Sequence, residues 1–205
     1  MLSIQTVKPD TLELLKAISA QPEVQETRLV GGTALALQYG HRQSVDLDFF
    51  GRLPEDKDEL IEVVKRVGDV TVHNRSKIIL QMVVNQVKVD FVDYSRYPWI
   101  DKPILGEGFV LASDKDIAAM KINAIIGRGT RKDFIDLYAL LQHYPLPQIM
   151  DFYRQKYPEF SEYRALLSMT YFDDAEMQDM PLMYESTPWE TMKKAIIKAV
   201  EDYQK

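Results

Sequence analysis

The sequence of 205 residues contains no cysteine. Disulfide bonds, thiolate metal sites and cysteine nucleophiles are therefore excluded. No apolar run approaches the roughly 20 residues that a membrane-spanning helix needs. The first residues also lack the basic and apolar regions of a secretion signal. We therefore expect a cytoplasmic protein that has no membrane partner.

Positive charge is also scarce, with 25 basic against 31 acidic residues and a net charge of −6. This balance argues against broad, sequence-independent binding of nucleic acid, which needs a basic surface. The acids are unevenly spread, because eight of them lie between Pro158 and Glu190 beside a single arginine. The remainder of the chain sums to +1, so a local basic groove stays compatible with the composition.

A two-glycine turn follows a short apolar stretch that begins at Thr27. Gly31 and Gly32 separate this predicted strand from a predicted helix over residues 33–39, which Gly40 can end. Paired glycines permit positive φ and a close approach of backbone N–H groups to a ligand. Such a turn at the start of a helix is a good binding place for a phosphate.

A second predicted strand, over residues 45–50, carries two acids. Its apolar residues alternate with Asp46, Asp48 and Phe50, which is the pattern of a half-buried strand. The two carboxylates therefore leave the same face, roughly 7 Å apart. Because they repel each other, we expect a cation between them, and a hard divalent ion with oxygen ligands fits.

A third acid, Asp90, lies on a later predicted strand, where Lys88 and Val92 share its face. This strand and the one before it are predicted to form a hairpin at Asn85. An isolated acid of this kind is more often a solvent-facing residue of an edge strand. Beside the first two acids, we interpret Asp90 as a third metal carboxylate.

The string Gly-Gly-Thr-Ala-Leu, followed by Gly-His-Arg-x-Ser-x-Asp-Leu-Asp-Phe-Phe, resembles the AbiEii/AbiGii nucleotidyltransferase toxins of abortive-infection and toxin–antitoxin systems. These toxins form a branch of the DNA polymerase β-like nucleotidyltransferase superfamily. Two later segments, Lys121-Ile-Asn-Ala and Arg128 through Lys132-Asp-Phe-Ile-Asp-Leu, match further motifs of the family. The resemblance covers about residues 29–141, in order and with sensible spacing.

The resemblance implies roles for individual residues. Asp46, Asp48 and Asp90 would bind Mg²⁺ or Mn²⁺, and Asp90 could accept a proton. Lys121 would contact phosphate and take part in catalysis. The residues implied in binding the nucleotide are Gly31, Gly32, Thr33, Arg42, Ser44, Lys121, Asp133 and Asp136.

Several of these residues have simpler interpretations. Lys121 on a helix border is commonly a lysine whose ammonium reaches solvent. Asp133 and Asp136 could be acids that favour a helix N-terminus. His41 and Arg42 could orient their loop instead of contacting phosphate.

The predicted fold is α+β, a nucleotidyltransferase fold with a small mixed sheet flanked by helices. We assign residues 1–142 to a nucleotidyltransferase domain and residues 143–205 to a helical C-terminal region. The latter is predicted to include helices near 147–156 and 161–169 and a final helix over 189–203.

The predicted reaction transfers NMP from an NTP to an acceptor hydroxyl. The resemblance implies RNA, such as tRNA, as acceptor and a cognate antitoxin as partner. The acidic composition keeps a small-molecule acceptor resembling an aminoglycoside, or a protein hydroxyl, as an alternative. A non-catalytic nucleotide-binding module is a third interpretation. An RNA acceptor would be favoured if a basic rim formed from Lys65, Arg66, Arg75, Lys77, Lys88, Arg128, Arg131 and Lys132.

Overall fold

The computed structural model describes residues 1–205, which form two compact units. Unit 1 comprises Met1–Tyr97 and Lys102–Ala112, and unit 2 comprises Pro98–Asp101 and Ser113–Lys205. The α+β prediction is confirmed, because unit 1 holds a mixed sheet with helices and unit 2 is helical. The last change from unit 1 to unit 2 lies between Ala112 and Ser113, and not at residue 142. The predicted extent of the nucleotidyltransferase domain stays a prediction.

Unit 1 is built on a seven-stranded sheet with the order β3-β4-β5-β2-β1-β7-β6. The central strand β2 runs antiparallel to β1 and parallel to β5. The strands are β1 (Thr27–Val30), β2 (Leu47–Gly51), β3 (Val70–Arg75), β4 (Ile79–Val84), β5 (Val87–Asp93), β6 (Ile104–Leu105) and β7 (Val110–Leu111).

One face of this sheet forms the core of unit 1. Leu80, Phe91, Phe49, Leu29 and Leu111 are register partners across five adjacent strands, and none is more than 2% exposed. The rings of Phe49 and Phe91 stack with their centroids 5.1 Å apart. Because strand residues alternate between faces, the neighbours of these residues project to the opposite side.

Unit 1 contains three α-helices. They are α1 (Pro9–Ser19), α2 (Gly31–Tyr39) and α3 (Lys57–Lys65). Helix α1 buries Leu14, Leu15 and Ile18. Helix α2 ends at Gly40, whose φ of +74° is the left-handed conformation predicted for a glycine cap.

Some boundaries differ from the predictions. The strand predicted from Val45 begins at Leu47, and Val45 is 38% exposed. The reason is that the preceding backbone bonds outside the sheet, with the amide of Ser44 donating to the carbonyl of Thr6. The predicted hairpin is confirmed, because β4 and β5 pair up to Val84 and Val87 on either side of Asn85 and Gln86. Both turn residues adopt positive φ, as the two central residues of a type I′ turn do.

Unit 2 consists of helices. They are α4 (Asp114–Gly127), α5 (Arg131–Leu141), α6 (Leu146–Lys156), α7 (Glu162–Met169), α8 (Asp173–Glu176) and α9 (Trp189–Tyr203). The last of these has the predicted bounds. The stretch between α7 and α9 contains the short helix α8. Nowhere in the chain is a helix both long and apolar enough to span a membrane.

A buried ion pair holds the segment Pro98–Asp101 within unit 2. Lys156 and Asp116 are both fully buried, and the ammonium nitrogen lies 2.8 Å from Asp116 Oδ1. Lys156 also donates to the carbonyl of Pro98 at 2.6 Å, and Asp116 accepts from the amide of Ile100 at 2.8 Å. The segment therefore supplies backbone groups that a buried charge pair needs for stability.

Candidate active site

Asp48 and Asp90, two of the three predicted metal ligands, lie on the sheet face opposite the core, whereas Asp46 precedes β2. Asp48 on β2 and Asp90 on β5 are direct register partners on neighbouring parallel strands. On the far side of Asp90 lies Gln81 of β4, and Val30 of β1 lies beside Asp48. Since register partners project to the same face, the fold brings Asp48 and Asp90 side by side in the centre of the sheet.

The glycine turn meets Asp48 directly because β1 ends at the register partner of this residue. Gly31 follows with a φ of +69°, a conformation that L residues rarely adopt. A Cβ atom at this position would lie only 2.5 Å from Oδ2 of Asp48. The first glycine is thus required both by its backbone conformation and by the approach of the carboxylate.

The loop before β2 surrounds the second glycine. A Cβ atom on Gly32 would collide with the guanidinium of Arg42, which is buried, and would lie 3.4 Å from Oγ of Ser44. Thr33 is fully buried and donates its hydroxyl proton to the backbone carbonyl of Asp46. Its hydroxyl also lies 2.9 Å from that of Ser44. The predicted phosphate-binding residues therefore form one cluster at the start of α2.

Asp90 is 8% exposed and its two oxygens have different surroundings. Oδ2 accepts hydrogen bonds from Gln81 Nε2 and from the Lys88 ammonium, each at 2.9 Å. Oδ1 is buried and has no hydrogen-bond partner. An unpartnered oxygen of a buried carboxylate is unfavourable, so this atom is well suited to receive a proton or a cation.

Lys88 is within electrostatic reach of all three acids. Burial alone would lower its pKa, but the hydrogen bond to Asp90 and the charges of the three carboxylates raise the pKa above its usual value. Asp90 is the acid that holds Lys88 directly. The solvent-facing interpretation of Asp90 is wrong, since its side chain is only 11% exposed.

These residues suit a divalent ion in their chemistry. All the donors are carboxylate oxygens, which Mg²⁺ and Mn²⁺ prefer, and the unpartnered Oδ1 of Asp90 is one of them. However, no group of three or more histidine, cysteine or acidic side chains is arranged in the structure so that it could hold a metal ion. The three-carboxylate metal site accordingly stays a prediction.

The other predicted site residues form a buried charge cluster in unit 2. Lys121 lies on α4 and its ammonium is 2.9 Å from Asp133 Oδ1 and 2.6 Å from Asp136 Oδ2, both on α5. The side chains of both acids are fully buried, and that of Lys121 is 5% exposed. The interpretation of Lys121 as a solvent-facing lysine is therefore wrong.

Asp133 is the centre of this cluster. It also accepts hydrogen bonds from Arg128 and from the hydroxyl of Thr130, and with Thr130 it forms a capping box at the start of α5. Burial alone would raise the pKa of Asp133, but the charge of Lys121 and the hydrogen bonds from Arg128 hold it well below the usual range. The acid is thus ionised at every physiological pH.

Most members of the predicted basic rim are held by acids. Five of the eight form ion pairs, namely Lys65 with Glu62, Arg75 with Asp58, Lys88 with Asp90, Arg128 with Asp133 and Arg131 with Glu176. These ion pairs reduce the positive charge that RNA could meet. The rim therefore stays a prediction and loses part of its support.

Two residues of the site in unit 1 were missed by the sequence-based assignment. The sequence-based assignment places Lys88 in the basic rim and gives Gln81 no role. A signal for Lys88 was present, because a residue two positions before Asp90 shares its strand face. Gln81 could not be found without the register of the hairpin, which places it opposite Asp90.

Comparison with known proteins finds relatives in sequence and in structure. An uncharacterized protein of Aquifex aeolicus is 31% identical over 208 residues, which cover 98% of each chain. A predicted nucleotidyltransferase from H. pylori has a similar structure, with a TM-score of 0.56, 22% identity and 96% and 98% coverage of the two chains. MenT4, a nucleotidyltransferase toxin from Mycobacterium tuberculosis, matches with a TM-score of 0.55, 18% identity and coverage of 92% and 80%.

These two structural matches show the fold. The family assignment comes from the sequence, because residues 13–205 match the family described as "Nucleotidyl transferase AbiEii toxin, Type IV TA system". The chain therefore belongs to the AbiEii nucleotidyltransferase toxin family.

Proposed function

We propose that the protein is a metal-dependent enzyme that transfers NMP from an NTP to a hydroxyl of RNA, such as tRNA, in the cytoplasm. It would act as the toxin of a toxin–antitoxin or abortive-infection system, with a cognate antitoxin as partner. The observation that carries the proposal is the adjacency of Asp48 and Asp90 on parallel strands, with a glycine turn against Asp48.

The glycine turn and its surroundings would bind the triphosphate. Backbone N–H groups at the start of α2 would bind phosphate oxygens, because a helix N-terminus favours anions. The buried guanidinium of Arg42 and the hydroxyls of Thr33 and Ser44 lie in the same cluster. Together they would orient the α-phosphate toward the acids.

The three carboxylates would complete the reaction centre. A divalent ion held by Asp46, Asp48 and Asp90 would neutralise charge on the phosphates and activate the acceptor hydroxyl. The Asp90 carboxylate would accept the hydroxyl proton as the new oxygen–phosphorus bond forms and pyrophosphate leaves. Its buried Oδ1, which has no hydrogen-bond partner, is the oxygen left to bind the ion.

The cluster of Lys121, Asp133 and Asp136 has a different character. All of its members are buried and already satisfy one another. We propose that it stabilises the α4–α5 pair of unit 2. The contact of Lys121 with a phosphate, and roles of both acids in nucleotide binding, stay predictions from the family resemblance.

The test is incubation of the purified protein with each α-³²P-labelled NTP, Mg²⁺ and total bacterial RNA. We expect a labelled RNA band that disappears in the Asp46→Asn, Asp48→Asn double variant. The matched control is the Asp10→Asn, Glu13→Gln variant, which removes two exposed acids from α1 in the same unit.

Label that persists in the Asp46→Asn, Asp48→Asn variant would refute the assignment of the site. Label that moves to a protein or to an added aminoglycoside would preserve nucleotidyl transfer and reject RNA as acceptor. Nucleotide binding without any transfer would favour the non-catalytic module.

A further inference from the structure

Lys88 forms an ion pair with Asp90, one of the three predicted metal ligands of unit 1. Its ammonium lies 2.9 Å from Asp90 Oδ2, on the same strand face and two residues earlier on β5. We propose that Lys88 is a positioning residue that competes with a divalent ion for these carboxylates and thereby sets the metal affinity of the site. This inference rests on the proposed function, since it assumes that the acids bind a metal.

The ammonium is placed where its positive charge matters. Carboxylates that share one face repel one another, and a positive charge near them offsets the repulsion. Lys88 meets this need with its ion pair to Asp90, at 2.9 Å from Oδ2. A divalent ion would meet the same need, and two cations at the same carboxylates repel each other.

Exposure makes Lys88 displaceable. The Lys88 side chain is 49% exposed, whereas that of Asp90 is 11% exposed. Ion pairs with one partner in solvent contribute little stability, and lysine is a compact charge on a flexible stem. The ammonium can therefore move into water while the carboxylate remains in place.

Asp90 itself is held independently of Lys88. Gln81 Nε2 donates to Oδ2 at 2.9 Å, and both residues are register partners in the β4–β5 hairpin. Removal of the lysine side chain therefore leaves one hydrogen bond that orients the carboxylate. A substitution of Lys88 can therefore remove its charge without removing the hydrogen bond that orients Asp90.

The experiment is titration of the full-length protein with Mn²⁺, without nucleotide, followed by electron paramagnetic resonance of the unbound ion. We expect Lys88→Met to bind Mn²⁺ about fivefold more tightly than the unaltered protein, a factor typical of a partly exposed ion pair. Lys88→Arg keeps the charge and should show no tightening. Lys8→Met removes an exposed lysine of the same unit and should leave the affinity unchanged.

Thermal unfolding distinguishes competition from a purely structural role. In EDTA, Lys88→Met should melt at a lower temperature because the acids lose their counter-charge, and Mn²⁺ should raise its melting temperature by more than it raises that of the unaltered protein. A structural role alone would lower the melting temperature without tightening Mn²⁺ binding, and that result would overturn the inference.

The two proposals fail in different ways. If the unaltered protein binds Mn²⁺ and the Asp46→Asn, Asp48→Asn variant does not, the metal site of the proposed function is supported. Unchanged Mn²⁺ affinity in Lys88→Met would then overturn only the role of Lys88. Absence of Mn²⁺ binding to both the unaltered protein and Lys88→Met would overturn both proposals.

Discussion

The chain contains two clusters in which one lysine faces several aspartates, and their surroundings differ. In unit 1, Lys88 is half exposed and contacts one buried acid directly. In unit 2, Lys121 is buried between Asp133 and Asp136, which are fully buried. The same pair of residue types thus forms a solvent-accessible ion pair in one unit and a closed charge cluster in the other.

Burial decides what each lysine can do. A buried carboxylate needs a partner to remain ionised, and removal of Lys121 would take an ion pair from each of two buried acids. A lysine at the surface can be replaced by water or another cation at little cost. The cluster of unit 2 is therefore suited to holding helices together, whereas the acids of unit 1 are suited to exchanging a ligand.

The largest change in the free energy of unfolding is expected for a variant that breaks the cluster of unit 2. Lys121→Met should reduce the free energy of unfolding by about 3–5 kcal/mol, because Asp133 and Asp136 each lose an ion pair with a buried ammonium. Lys88→Met should reduce it by about 1 kcal/mol or less. Urea unfolding at pH 7 measures both values.

A matched variant tests the cause of that loss. Adding Asp133→Asn and Asp136→Asn to Lys121→Met removes the two carboxylates that lost this ion pair, so part of the lost stability should return. Equal losses for Lys121→Met and Lys88→Met would contradict the distinction between the two clusters.

Acid should also separate the clusters. The pKa of Asp133 is depressed in the folded protein, so its contribution to stability is present above the pKa of the unfolded chain and is lost as the pH falls further. Below about pH 4, this one group can lower the free energy of unfolding by up to about 1.4 kcal/mol per pH unit.

The measurement is urea unfolding between pH 7 and pH 3. Asp133→Asn should flatten the acid limb of the stability curve, whereas Asp10→Asn, which removes an exposed acid, should leave it in place. An acid limb that is identical in Asp133→Asn and the unaltered protein would refute the role of Asp133.

A smaller effect is expected at Gly31 and Gly40 of unit 1. Gly31→Ala and Gly40→Ala both place alanine at a φ near +70°, with values of +69° and +74°. Each should lose about 1–2 kcal/mol of stability. Only Gly31→Ala pushes a methyl group against Asp48, and only this variant should also lose Mn²⁺ affinity.

Titration of both glycine variants with Mn²⁺ is the corresponding measurement. At Gly40 the new methyl group would instead approach Oγ of Ser3, at 2.9 Å, far along the helix from the acids. Loss of Mn²⁺ affinity in Gly40→Ala as well would show that strain in α2, and not contact with Asp48, is responsible.

The smallest effect is expected at the surface. Arg75 pairs with Asp58, and the side chains of both residues are at least 44% exposed. Arg75→Ala should therefore change the free energy of unfolding by about 0.5 kcal/mol. A loss near that of Lys121→Met, measured by the same urea unfolding, would show that exposure does not govern these ion pairs.

Much of unit 1 could be predicted from local patterns. The alternation around Asp48, the glycines of the turn and Gly40 each follow from backbone preferences of single residues. The family membership was also predictable, because the motifs occur in order over residues 29–141. These features depend on residues that are close in sequence.

The features that were missed depend on distant residues. The partnership of Lys121 with Asp133 and Asp136 needs the packing of α4 against α5, which helix periodicity does not provide. Val45 lies outside the sheet because the amide of the preceding Ser44 donates a hydrogen bond to the distant carbonyl of Thr6. Gln81 became part of the site only through the register of the hairpin.

The segment Pro98–Asp101 has a consequence for synthesis of the protein. It is translated between two pieces of unit 1, yet the residues that hold it, Asp116 and Lys156, are translated later. Strand β7, the parallel partner of β1, also follows it in the chain. A ribosome that has completed the three acids has therefore not yet completed either unit, so no early fragment of the nascent chain contains the finished sheet.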